Sequence, residues 1–167
     1  DEVSEDDSGS SGGGITGGGG SSTSGGGSAP LAKAIFRNSN MTDQNWGIIE
    51  RMLEKITNDC MGQNLYNRLK AALNGGTLII QFGTGENSSF GPIGQGYGIT
   101  LSMNMESNQL FHEMMHAYRA YQETNDTYRA SRLNGEIEAW YAQYLYVRKL
   151  PEYEGSHDRS DCHAGCN

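Results

Sequence analysis

Apolar positions along the chain fall into stretches of two different periods. Trp46, Ile49, Leu53 and Ile56 recur every three or four residues, with Glu50, Arg51 and Glu54 off that face, and predict a helix over 43–58. Leu65, Leu69, Ala72 and Leu73 repeat the pattern over 62–73. Asn74-Gly75-Gly76 stops it, since glycine is favoured just past a helix end. The period then shortens. TLIIQF (77–82) is a compact β-branched and apolar run, and YGITLSM (97–103) alternates, with Ile99, Leu101 and Met103 opposite Gly98, Thr100 and Ser102. Between them, 83–96 carries Gly-Thr-Gly and Gly-Pro and reads as loop. Helical spacing returns over 107–122 through Leu110, Phe111, Met114, Ala117, Tyr118 and Tyr121. After a polar loop it returns again over 134–149. Ile35 and Phe36 are the first expected core contacts. Two helices, a small sheet and two further helices predict an α+β fold.

Composition sets the outer limits of this domain. Residues 8–28 are almost wholly Gly and Ser, which cannot bury enough apolar surface to offset their ordering entropy, so 1–29 is expected to be a disordered linker. The domain is then 30–150, followed by an irregular tail over 151–167. The net charge is −8, and the tract containing Asp1, Glu2, Glu5, Asp6 and Asp7 supplies five of those negative charges. No basic face remains for a nucleic acid. No apolar run is long enough to span a membrane, and no signal peptide is visible. The acidic start is that expected of a processed chain. Cys162 and Cys166 stand four apart, close enough to pair and leave Cys60 alone.

The chemistry is concentrated in His112-Glu113-Met114-Met115-His116, an HExxH sequence inside the predicted helix 107–122. Positions i and i+4 share a helical face, so His112 and His116 can hold one ion, and Glu113 can take a proton from a metal-activated water. Neutral imidazole suits Zn²⁺, and a hydrolytic zinc site uses three protein ligands. No third histidine follows at the HExxHxxGxxH spacing. The candidates for the third ligand are Glu136 and Glu138, roughly 200° apart around one helix. Glu136 shares a face with Ala139, Trp140 and Gln143, and Glu138 with Tyr141, Ala142 and Leu145. Periodicity alone does not choose between them.

His112–His116 followed by Glu136-Ile137-Glu138-Ala139 resembles the gluzincin zinc metallopeptidases, whose third ligand is a helix-borne glutamate in an ExxA sequence about 20 residues on. The resemblance covers about 97–149 and extends to metallopeptidase-like domains of bacterial surface proteins and polymorphic toxins. It implies a zincin-like fold, with a small sheet packed on the HExxH helix and a following glutamate-bearing helix. It also implies Zn²⁺ held by His112, His116 and Glu136, with Glu138 as runner-up, and peptide hydrolysis with Glu113 as general base. Many gluzincins carry an acidic residue three or four positions after the ligand, where it orients a histidine. Ala139 and Trp140 stand there instead, so the orienting group must be a backbone carbonyl, Glu138 or Asp126.

By the same resemblance, the strand over 97–103 is an edge that pairs with an extended peptide, and Gly96 and Gly98 admit a second backbone. Tyr128 and Arg129 are candidate donors to the transition-state oxyanion. His157, Cys162, His163 and Cys166 fit no common zinc module, the methionines near the motif read as core filler, and Gly83-Thr84-Gly85 lacks the lysine of a phosphate loop. The expected protein is a secreted or cell-surface monomer acting on a peptide or protein, with the linker as a membrane or lipoprotein tether. The rivals are a non-enzymatic interaction module, with a structural zinc or no metal, and an effector peptidase with one target.

Overall fold

A computed structural model describes residues 28–102, 104, 106–123 and 132–152. Its elements are α1 (Pro30–Ile35), β1 (Phe36–Arg37), α2 (Asp43–Thr57), α3 (Cys60–Leu73), β2 (Leu78–Phe82), β3 (Ser89–Ile93), β4 (Gly96–Leu101), α4 (Ser107–Gln122) and α5 (Arg132–Val147). The fold is mixed α+β.

The apolar stripe of α2 is buried as its spacing requires, and the Thr42 side chain caps the helix by accepting the Asn45 amide. Asp59 caps α3 by accepting the Met61 and Gly62 amides, which starts that helix two residues before the apolar pattern does. Asn74, with φ of 49°, closes it in the left-handed region. Glu50 departs from the polar side that its spacing implied. It is buried, and its two carboxylate oxygens accept the Leu31 and Ala32 amides at 3.0 and 2.8 Å. Those are free donors at the start of α1, a short helix the sequence did not announce.

The sheet runs β1-β2-β4-β3. β1, β2 and β4 are parallel, and β3 is antiparallel to β4. This corrects two expectations. The segment 83–96 is not continuous loop, because it contains β3. The strand expected at the edge, now β4, is interior and paired on both sides, and the edge beside it is β3. Gly98 serves the sheet rather than an incoming chain: a Cβ there would lie 2.3 Å from the Ile79 carbonyl oxygen. A Cβ on Gly96 would likewise meet Arg37 and Ile79 at 3.4 Å.

Gly94 and Gln95 join β3 to β4. Gly94 has φ of 59° and Gln95 is not left-handed, the combination of a type II′ turn. Such a turn closes on a hydrogen-bonded pair, here Ile93↔Gly96, so Phe90↔Ile99 and Pro92↔Tyr97 are non-bonded pairs. The backbone groups of Phe90 and Pro92 therefore point to the open edge, where a proline breaks no ladder bond.

A single core joins the inner faces of α1–α4 to Leu78, Ile80, Ile99 and Leu101 of the sheet and to Tyr146 of α5. Met114 is within it, as expected. Phe111 stacks on Tyr146 with ring centroids 4.8 Å apart, and the Tyr146 hydroxyl meets Ser107 Oγ at 3.1 Å. These contacts set α5 antiparallel to α4. Ala29 is buried, so the core begins one residue inside the expected linker. Apart from residues 28–29 and 151–152, the linker and tail lie outside the described residues. Cys60 is disulfide-bonded. It is not the odd cysteine that a Cys162–Cys166 pair would leave, and its partner lies outside the described residues. Among the described residues no helix is long and apolar enough to cross a membrane.

Candidate metal centre

The motif helix α4 is covered on most of its circumference, and His112, Glu113 and His116 are all buried. His112 Nε2 and His116 Nε2 lie 3.0 Å apart. Glu136 Oε2, from the facing turn of α5, lies 3.8 Å from the first and 3.5 Å from the second. The edges of a tetrahedron with bonds of ~2.0–2.1 Å are ~3.3 Å long, so these three separations suit one small divalent ion. These three residues form a group that could hold a metal ion. Glu138 points elsewhere and pairs with Arg119 at 3.0 Å. Arg119 also binds Glu123 at 2.8 Å.

The electrostatics fit the same use. Burial holds both imidazoles below their ordinary pKa, against the opposing pull of Glu136. They are then neutral at physiological pH and offer lone pairs. Glu113 moves the other way. Burial, aided by the Glu136 charge, raises its pKa to about 7, while the Phe90 amide from the β3 edge opposes the shift. A carboxylate beside two histidines is thereby poised near neutrality.

The Ala139 carbonyl and the Gln143 side chain stand beside the His112 ring. Neither contact reaches hydrogen-bond geometry, and His112 Nδ1 and Gln143 Oε1 are both buried without a close partner. A histidine that ligates through Nε2 normally donates its other N–H to such an acceptor. A backbone carbonyl is one of the expected orienting groups, and the Ala139 carbonyl and the Gln143 side chain stand beside this ring without a hydrogen bond to it. Glu138 is engaged with Arg119, and Asp126 lies outside the described residues.

A cleft of about 700 Å³ opens over the group. Its floor is α4, one wall is the β3 edge with Tyr97, and the other is a stripe of α5 carrying Arg132, Glu136, Trp140 and Gln143. The indole of Trp140 stands 4.7 Å from the His112 ring. Trp140 and Gln143 were visible in the sequence as face-mates of Glu136. Arg132, one turn earlier on the same face, could have been found by extending that stripe backwards. The β3 wall had no such signal. Tyr128 and Arg129, the expected oxyanion donors, lie outside the described residues, as do His157, Cys162, His163 and Cys166. No protein-family model, curated protein or solved structure matches this chain, so the centre is defined by its own geometry.

Proposed function

We propose that the chain is a zinc-dependent metallopeptidase. The observation that carries this reading is the convergence of His112, His116 and Glu136 beside a buried Glu113, beneath an open cleft. Two imidazoles and one carboxylate are a donor set suited to Zn²⁺. Zinc bound there supplies Lewis acidity, which makes water nucleophilic near neutral pH and polarises a carbonyl. Glu113 accepts the proton that the attacking water gives up and delivers it to the departing amine nitrogen as the C–N bond breaks. A hydrogen bond from His112 Nδ1 to the neighbouring Ala139 carbonyl or Gln143 side chain would fix the tautomer that offers Nε2 to the metal.

An extended peptide suits the β3 edge, where the Phe90 and Pro92 carbonyls face outward and can accept amide donors. The disulfide at Cys60 and the Gly/Ser tract support a secreted or cell-surface setting. The main rival is a metal that only staples α4 to α5. A structural site is closed by a fourth protein ligand. Among the described residues the metal-ligating group has three members, and a cleft lies over it.

The test is zinc stoichiometry together with cleavage of a peptide mixture, with Glu113→Gln as the control. The variant is expected to keep its zinc and lose about 10²–10⁴-fold in rate. Unchanged cleavage by Glu113→Gln would remove Glu113 from this role, and a zinc-loaded wild type that cuts nothing would leave the stapling role.

A further inference from the structure

The cleft is chemically lopsided along α5. Arg132, Glu136 and Trp140 follow one another at intervals of four residues, so they share a face and step along the axis by ~6 Å each. Because α5 runs antiparallel to α4, Trp140 lies at the His112 end, with its indole against that ring. Arg132 lies at the His116 end, where its charge is among the influences that lower the His116 pKa. Both side chains line the cleft and both are exposed. The metal-ligating group therefore sits between an aromatic surface and a cation.

The two arginines of this region differ in one respect. Arg119 is matched by Glu123 and Glu138. Arg132 has no carboxylate within ion-pairing distance among the described residues. Its nearest acidic face-mate, Glu136, is turned to the histidines. A guanidinium presents a rigid fork of donors that matches a carboxylate, and it is weakly enough hydrated to bind one in a partly dry cleft. Outside the acidic N-terminal tract the chain still carries a net negative charge, so a preference for acidic ligands needs a local cation of this kind.

We infer that Arg132 is a carboxylate-binding subsite. It selects peptides with a negative group on the His116 side of the cleavage point and an apolar or aromatic residue on the Trp140 side. A step of ~6 Å is about two residues of extended chain, which places the carboxylate roughly two residues from the scissile bond. The carboxylate is either an Asp or Glu side chain or the end of the substrate chain. This inference rests on the peptidase reading for its cleavage point, but the binding of a carboxylate at Arg132 does not require turnover.

The experiment separates the two. Three N-acetylated octapeptide pools are compared: one with free C-termini, one amidated, and one amidated and devoid of Asp and Glu. Binding to zinc-loaded Glu113→Gln is measured by equilibrium dialysis, and cleavage by zinc-loaded wild type is read by mass spectrometry. At least one carboxylate-bearing pool is expected to bind about 10-fold or more tightly than the third, the range of a charge-assisted hydrogen-bonded contact. The first pool against the second reports the chain end, and the second against the third reports the side chain. The preference is expected to vanish in Arg132→Gln in the same background and to return in part in Arg132→Lys, with zinc content and circular dichroism unchanged. Equal binding of all pools, no binding of any, or a preference that survives Arg132→Gln overturns the subsite. Cleavage without preference overturns it and leaves the peptidase standing. Preferential binding without cleavage does the reverse.

Discussion

Helices α4 and α5 are each sixteen residues long and lie side by side, yet they are held very differently. α4 buries Leu110, Phe111, Met114 and Ala117 in the core, together with all three of its functional side chains. α5 buries only Gly135, Ala139 and Tyr146 and leaves Leu133, Ile137, Trp140, Tyr141 and Tyr144 exposed. The candidate centre is assembled across this boundary. Its two histidines and Glu113 are fixed by packing before any ligand arrives, whereas Glu136, with a side chain 43% exposed, rides on the looser partner. The rigid half sets the geometry, and the other half can adjust to an ion or a substrate.

The contrast is most sharply tested by truncation. Phe111→Ala, which removes a fully buried ring stacked on Tyr146, is expected to cost about 3–5 kcal/mol in denaturant unfolding. Tyr141→Ala, on the exposed face of α5, is expected to change stability by less than about 0.5 kcal/mol. Comparable losses from the two would abolish the distinction.

A second effect is expected from pH in the metal-free protein. Glu113 has its pKa raised from 4.5 to about 7 in the fold, so between those values the native state binds more protons than the unfolded chain. Its contribution therefore falls as pH rises through that window, by up to ~3 kcal/mol at 1.36 kcal/mol per unit. The lowered pKa values of His112 and His116 act in the opposite direction, adding stability as pH rises toward 6.5. Glu113→Gln isolates the first effect. The melting temperature of the metal-free variant should exceed that of wild type by a margin that grows from pH 5 to pH 7, and a constant margin would contradict it.

Zinc is expected to add about 2.7 kcal/mol of stability when free metal exceeds its dissociation constant a hundredfold, and chelation should remove it. Hydrogen exchange should then show the larger gain in protection on α5. A gain confined to α4 would mean that Glu136 does not close the site.

How much of this was legible beforehand followed from how local each determinant is. The histidines and Glu113 could be read directly, because four-residue spacing on an apolar stripe fixes both the helix and the face. Glu136 and Glu138 could not be separated by periodicity. The pairing of Glu138 with Arg119 tells them apart, and that contact spans 19 residues. β3 was illegible for a different reason: Ser89, Gly91 and Pro92 disfavour a strand locally, and the backbone of β4 imposes it. Glu50 looked like a solvated charge because the helix it caps, six residues long, has no period of its own.

The free margin of β3 has a bearing on how the molecule behaves at high concentration. Between Phe90 and Pro92 it shows two oxygens and no available hydrogen, since proline has none and the Phe90 amide is turned toward Glu113. Two such margins laid against each other would set oxygen against oxygen. Self-pairing of this stretch is thereby disfavoured, because neither copy offers the other a donor, and the groove keeps its acceptors for a chain that brings its own amides.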